Sequence, residues 1–374
     1  MTGATLLAGL AAAAALTAAE TWHAQFFHDQ DQSSLVILDM KFPTASRGVA
    51  VGWMQDKGRR RQVMLASDDG GAGWRIQPLP DAGFGLFFLN DTRGWMVAQG
   101  GLWTTPDAGV TWSKSLGRRG LRAVHFVSES RGWVVGFPKL ALETTDGGRH
   151  WSPVAAAAAP KSTPERSTYE WVEFLGPKRG FLGGWSDPRR SPPRLAPWLD
   201  PEAAQRPQWP NLTLLLQTDD AGANWAASEH SLFGRITRLR LFPNGTALTL
   251  VEFTEGFQFP TEVNRIDLVG RKSATSFRQK DRVVTDILIA RSGLAYLTAV
   301  EPLGTLHSLP VPGKLKILRS RNFETWEEMS VDYRATATRA VLAEAPDGQL
   351  WAATDTGMIL KLMDPTRGAQ QGNK

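Results

Sequence analysis

Short apolar runs recur along the chain, each opened by Gly and fenced by polar turn residues, and no long stretch keeps the spacing of an amphipathic helix. An aromatic or aliphatic strand end, a polar turn and a Gly-led apolar strand follow one another at Phe42…Gly48-Val49, Phe88…Gly94-Trp95, Phe126…Gly132-Trp133 and Phe174…Gly180-Phe181. Weaker copies stand at Phe242…Gly245-Thr246, Ile289…Gly293-Leu294 and Ala345…Gly348-Gln349. The third copy sets the grammar of a four-stranded unit: Leu121 to Val127 inside, then Gly132 to Phe137, Leu140 to Thr145, and Trp151 to Val154 outermost. Helix should be nearly absent.

A turn signature, Ser/Thr-x-Asp-x-Gly-x-x-Trp, joins the third and fourth strands of these units. It occurs at Ser67-Asp69-Gly71-Trp74, Thr105-Asp107-Gly109-Trp112, Thr144-Asp146-Gly148-Trp151 and Thr218-Asp220-Gly222-Trp225. The hydroxyl and the carboxylate bind turn amides, Gly takes a positive φ, and Trp folds back over the hairpin, so the octet builds a turn and does no chemistry. Four copies at one spacing mark a repeated β unit. They resemble the BNR/Asp-box repeats of β-propellers. With seven Gly-led strands, the expected fold is all-β, a seven-bladed propeller. The copy at Ser320 to Trp326 is shortened and lacks Gly, and the fifth unit has no octet. The last unit has no fourth strand of its own. Trp22 to Phe26 has the look of one, so an N-terminal strand is expected to pair with the last blade and close the ring.

Arg93-Gly94-Trp95, Arg131-Gly132-Trp133 and Thr145-Asp146-Gly147-Gly148 make the chain similar to the photosystem II stability/assembly factor family. That resemblance implies a non-enzymatic, exported propeller that assists assembly of a membrane complex and carries an Arg-rich surface. The sialidases, which also carry such boxes, fit less well. Arg75-Ile76-Gln77 and Arg235-Ile236-Thr237 lack the Pro of their Arg-Ile-Pro element, and only three Tyr are present.

Residues 1–19 read as a signal peptide, with an apolar Ala/Leu run from Leu6 to Ala18 but no basic residue ahead of it. The expected setting is therefore export, to a bacterial periplasm. The propeller occupies 20–364 as a single domain with an insertion at 186–211 in blade four, and 365–374 form a polar tail. The chain has no Cys, which excludes disulfides and thiolate ligands, and its six His follow no metal spacing. No metal and no cofactor are expected.

With formal net charge +5 and a pI near 9.5, charge placement matters more than charge total. If the octets and the first turns share one face, the opposite face collects the longer loops. It also collects Lys57, Arg59, Arg60, Arg61, Arg118, Arg119, Arg278, Lys280 and Arg282, and the inserted Arg189, Arg190, Trp198 and Trp209. The link after the third unit, Ala155 to Thr168, is low in complexity and reads as mobile. The candidate contact surface is Arg59, Arg60, Arg61, Arg118, Arg119, Arg189, Arg190, Trp198 and Trp209. Its expected partner is a protein of a membrane or envelope complex, with peripheral contact to anionic surfaces, and the propeller itself is expected to be a monomer. The clusters are interrupted by Asp56, Asp187, Asp200 and Glu202 and form no stripe, so nucleic acid is not the expected partner. The alternative is a glycoside hydrolase acting at the same face, with Asp187, Glu252, Glu255 and Glu301 as its available carboxylates and Trp198 or Trp209 stacking a sugar.

Overall fold

The computed structural model describes residues 20–188, 209–253, 257–301, 305–306 and 309–364. Residues 1–19, Arg189, Arg190, Trp198 and the tail lie outside the described residues.

Five separate four-stranded antiparallel sheets follow one another along the chain. The first is Ser33–Lys41, Gly48–Asp56, Arg59–Ser67 and Arg75–Pro78, and the second is Gly83–Phe88, Gly94–Ala98, Gly101–Thr105 and Ser113–Leu116. The third is Leu121–Phe126, Gly132–Gly136, Leu140–Thr144 and Ser152–Pro153. The fourth is Ser167–Leu175, Arg179–Ser186, Asn211–Thr218 and Ala226–Leu232, and the fifth is Arg235–Leu241, Thr246–Glu252, Thr261–Asp267 and Lys272–Phe277. A nine-stranded sheet holds two further runs of this kind. One is Val283–Ile289, Ala295–Glu301, Gly313–Ser320 and Glu327–Val331. The other is Ala340–Glu344, Leu350–Thr354, Met358–Met363 and, from the start of the chain, Thr21–Phe27. Thr21 and Trp22 also pair in parallel with Ser330 and Val331, which is why the two runs count as one sheet. We call these seven runs units one to seven and their strands A to D from the axis outward.

Strand A of each unit packs on strand A of the next, and Ala340–Glu344 packs back on Ser33–Lys41, so the units form a closed ring. Apolar side chains fill each junction. Leu35, Ile37 and Met40 of unit one share a core with Val341, Ala343 and Trp351 of unit seven, and Trp133 of unit three shares one with Tyr169, Phe174 and Leu216 of unit four. The expected closing strand is present: Trp22 is 1% exposed and sits among Leu315, Met329, Leu342 and Leu360.

The four octets share one geometry. The Ser or Thr hydroxyl donates to the Asp carboxylate and accepts the N–H of the octet Gly, at 2.8 Å for Ser67 with Gly71 and 2.9 Å for Thr218 with Gly222. The carboxylate then accepts the N–H just before the Trp, from Gly73, Thr111, His150 and Asn224. Each Trp meets, edge to face, the Phe that ends or follows strand A of its own unit: Trp74 on Phe42, Trp112 on Phe88, Trp151 on Phe126, Trp225 on Phe174. The two repeated sequence elements therefore meet in space.

The octets also lock neighbouring units together. Arg131, ahead of strand B in unit three, donates to the carbonyls of Ala221 and Gly222 in the fourth unit's octet, and Arg47 does the same to Ala108 and Gly109 in the second. Trp133 stacks on Phe174 with ring centroids 4.3 Å apart and closes over Gly222, so a Cβ there would overlap its ring. In unit six the shortened octet places Phe323 where Gly stands elsewhere, at φ 61°, and its N–H still donates to Ser320. Its ring reaches back to Phe242 of unit five, whose strand B begins Thr246-Ala247 instead of Gly-Trp.

One expectation fails. The link 154–166 is not loose: Ala155–Ala158 and Pro164–Arg166 form 3-10 turns, and Val154 and Ala157 are buried. Lys139 donates from its ammonium to the carbonyls of Ala158, Pro160 and Ser162, and the Tyr169 hydroxyl donates to Ala157. Low complexity left no side chain in the link itself to announce these bonds, because every donor comes from outside it.

Candidate binding face

Strands A and C run toward the octet turns, so the B–C turns and the D–A links gather on the opposite face. There unit one has the longest B and C strands among the described residues. Its B and C strands are nine residues each, against five in units two and three, and they meet at Lys57-Gly58, both at positive φ. This hairpin carries Arg59, Arg60 and Arg61. Arg61 is paired with Asp56 at 2.9 Å and Arg60 lies 4.2 Å above the Trp53 ring, while Arg59 has no side-chain partner among the described residues. Arg118 and Arg119 fall in the link between units two and three and likewise have no ion pair among the described residues.

Three further arginines of this face are ion-paired, whereas Lys57 and Lys280 have no ion pair among the described residues. Arg235 pairs with Asp187 at 2.7 Å and lies over Trp185; Arg278 pairs with Glu262 at 3.1 Å and lies over Phe259; Arg282 faces Asp281, Glu301 and Glu328. Among the described residues, the cations of this face without an ion pair thus lie mostly over units one to three. Units four and five present aromatics instead: Phe233 and Phe253 flank Phe257, and Trp209 is 61% exposed at the foot of the insertion. Of the carboxylates considered for hydrolysis, Asp187 is held by Arg235, Glu252 accepts from the Thr237 hydroxyl at 2.8 Å, Glu301 faces Arg282 and Lys316, and Glu255 lies outside the described residues. Asp69, Trp74, Asp107, Trp112, Asp146, Trp151, Asp220 and Trp225 all sit in the octet turns of the other face.

Sequence reasoning missed a second feature, a belt of charge on the ring's axis. Every strand A from unit one to unit six carries a bulge at the same place, with Leu38, Phe84, Arg122, Glu170, Thr237 and Thr285 as the extra residues. Two residues past the bulge come Met40, Leu86, Val124, Val172, Leu239 and Ile287, all buried against the preceding unit. Their neighbours point the other way, toward the next unit. Asp39 accepts the Leu86 N–H, Trp171 donates to the Ile236 carbonyl, Arg240 donates to the Ile287 carbonyl, and Asp286 accepts the Leu342 N–H at 2.9 Å. Arg238 and Arg240 face Asp286 at 3.4 and 3.8 Å, and Arg240 faces Glu173 at 3.6 Å.

Electrostatics in the belt follow from burial. Desolvation would raise the Asp286 carboxyl, but Arg240, Arg238 and the Leu342 N–H outweigh it and hold it below the usual range. Burial lifts the Glu173 carboxyl against the pull of Arg240 and Lys41. It also lifts that of Glu170, despite Arg122, Arg238 and Arg339. His125, between the Phe87 and Phe174 rings, is pulled down to about 4 by burial and by Arg240, and so stays neutral at pH 7. The readable signal was a charged residue on either side of an apolar one, Asp39-Met40-Lys41 and Arg238-Leu239-Arg240, in strands otherwise built for a core. Among the described residues no three His, Asp or Glu come together as metal ligands.

No family model matches the chain, and no curated relative does. Solved structures do. The chain is similar to a structure described as YCF48 bound to D1 peptide, at 14% identity and a TM-score of 0.57, over 90% of this chain and 98% of that one. YCF48 from Cyanidioschyzon merolae matches at 13% identity and 0.56, over 91% and 98%. The β-propeller domain of the Trilobed protease from Pyrococcus furiosus matches at 10% identity and 0.50, over 89% and 96%. Likeness at such low identity speaks for the fold alone, and the fold it gives is the one the strands display: this chain is a β-propeller.

Proposed function

We propose that the chain is a seven-bladed, non-enzymatic propeller with Asp-box turns, exported to the periplasm as a monomer, where it binds a protein of a cell-envelope complex and acts as an assembly scaffold. The observation that carries this reading is the segregation of the face: Arg59, Arg118 and Arg119, with Lys57 beside Arg59, have no ion pair among the described residues of the loop-bearing side over units one to three, opposite the short octet turns. Two supports stand beside it. A propeller of the same fold has been solved with a peptide bound. The Arg-Gly-Trp and Thr-Asp-Gly-Gly elements are similar to those of the photosystem II stability/assembly factor family. Charge of this kind steers acidic partners and falls in strength with salt.

The test is capture of envelope proteins by the purified full chain. Reversing Arg59, Arg118 and Arg119 to Glu is expected to cut recovery of the specific partners about tenfold or more, equivalent to ~1.4 kcal/mol. Reversing Arg61, already paired with Asp56, should cost less. Equal recovery by the folded triple variant would reject the reading.

A hydrolase reading has one observation in its favour. The Glu170 carboxyl is raised by burial and, to a lesser degree, by Glu252, against the pull of Arg122, Arg238 and Arg339. Turnover of a glycoside that Glu170→Gln abolishes would establish it in place of the scaffold.

A further inference from the structure

Nine large apolar side chains are exposed among the described residues, and their kind follows their place. The five aromatic ones all stand on the loop-bearing face. Phe137 and Trp209 lie between strands B and C of units three and four, and Phe233 and Tyr333 lie in links from one unit to the next. Phe27 ends the closing strand opposite Met358, beside the B–C turn of unit seven. Tyr333 is 89% exposed. The aliphatic ones are elsewhere: Val110, Val269 and Met363 at the octet ends of their units, and Ile76 on the outer strand of unit one.

Cations share that face. Lys57, Arg59, Arg118, Arg119, Lys280 and Lys314 are exposed on it and carry no ion pair among the described residues, against the exposed carboxylates Asp29, Asp31 and Glu165. Neither kind gathers at one spot. The aromatics belong to units three, four and seven and to the links after units four and six, and the cations to units one and six and the links after units two and five. All stand at turns and links on one side of a closed ring. A narrow partner would reach a few of these positions, whereas a flat surface reaches them together.

We propose that this face lies flat on a membrane surface rich in anionic phospholipid, with the exposed aromatic side chains in the interfacial layer and the cations against headgroup phosphates. Tyr and Trp suit that layer because each has an apolar body and a polar tip, and Phe gains by removing its ring from water. Lys and Arg close to an anionic surface add their attractions, which salt weakens. A docked ring needs no membrane-crossing segment, because apolar side chains that enter only the interface hold it together with the charge. The inference goes beyond the scaffold reading and stands without it, since it assigns which way the propeller faces and not what it assembles.

The test is co-sedimentation with vesicles of phosphatidylcholine and phosphatidylglycerol in equal parts, against vesicles of phosphatidylcholine alone. It uses the full chain and also residues 20–374, which keep every strand of the ring and lack the apolar run from Leu6 to Ala18. Binding of residues 20–374 to the anionic vesicles should be about tenfold stronger or more, and should fall as salt is raised. Phe233→Ser with Tyr333→Ser should weaken it about tenfold, and Arg118→Ser with Arg119→Ser by as much. Val110→Ser with Val269→Ser removes apolar surface from the octet ends and should leave binding unchanged. Orientation is read separately. The chain has no Cys, so Gln258→Cys, between Phe257 and Phe259, and Val269→Cys, at the other end of the same unit, can each carry an environment-sensitive dye. Anionic vesicles should shift the emission to the blue at 258 and leave it in place at 269. Equal binding of residues 20–374 to both kinds of vesicle, undiminished binding by a folded Phe233→Ser, Tyr333→Ser chain, or a shift at 269 without one at 258 overturns the proposal. The two readings fail separately. If envelope proteins are captured in a charge-dependent way while neither kind of vesicle is bound, the lipid surface falls and the scaffold stands. If anionic vesicles are bound as described while the triple charge reversal leaves protein capture intact, the scaffold falls and the lipid surface stands.

Discussion

At the scale of single residues, the octet glycines Gly71, Gly109 and Gly222 answer to the neighbouring unit as well as to their own turn. Gly222 has φ 76°, and an added Cβ would run into the Trp133 ring of the unit before it. Gly176 has φ 64° but nothing within 4 Å of an added Cβ. The pair separates backbone strain from packing. Gly176→Ala should cost about 1 kcal/mol for the left-handed backbone alone, and Gly222→Ala about 2 to 4 kcal/mol once overpacking is added. Urea unfolding of the two variants measures both, and equal losses would mean that Trp133 swings aside. In unit three the Arg-Gly-Trp element thus reaches the next unit's octet, whereas the nearest atoms to Gly148 are those of its own Trp151. The sequence shows both motifs; it does not show that one unit's Trp rests on the next unit's Gly, because that contact spans Trp133 to Gly222 and depends on the ring.

At the scale of elements, strands were the most legible part and links the least. Repeated Gly-led runs placed the inner three strands of unit three to within a residue, since core strands bear their pattern in their own side chains. The link after Pro153 reads as mobile because its Ala residues carry no instructions, yet Lys139 and Tyr169 pin it from either side. Burial beside the link also draws the Lys139 ammonium below the usual lysine range. Lys139→Met removes three bonds to the carbonyls of Ala158, Pro160 and Ser162 while keeping a long apolar side chain. Amide exchange across residues 155–163 is then expected to speed up by about tenfold, a local opening free energy lower by ~1.4 kcal/mol, with strands B and C of the unit unaffected. Unchanged exchange would assign the order of the link to Val154 and Ala157 alone. The bulges of the inner strands escaped notice for a related reason: one extra residue inside an apolar run leaves no gap, and only pairing with strand B reveals it.

At the scale of the molecule, a ring must join its last unit to its first, and here the chain does so with its own start. Thr21–Phe27 lies antiparallel along Met358–Met363, and Thr21 and Trp22 also reach Ser330 and Val331 in parallel. Glu20 is ion-paired with Arg319, the Asp332 N–H donates to the Trp22 carbonyl, and the Trp22 indole donates to the Met329 sulfur. One strand therefore clasps two units. Deleting residues 1–27 removes that clasp and bares the edge of Met358–Met363, so the truncated chain should aggregate. Deleting 1–19 alone keeps every one of these contacts and should leave the unfolding midpoint where it was. Trp22→Ala is the graded version, empties a pocket among Leu315, Leu342 and Leu360, and should cost about 3 to 5 kcal/mol. A peptide of residues 20–28 added to the truncated chain should restore a soluble species by size-exclusion chromatography, because the closing strand is held by side chains and ladder bonds that need no covalent link to strand A of unit one. A truncated chain that stays soluble with an unshifted midpoint would mean that the ring is held by its inner strands, through Asp39, Arg240 and Asp286, and that the closing strand is a cover and not a clasp.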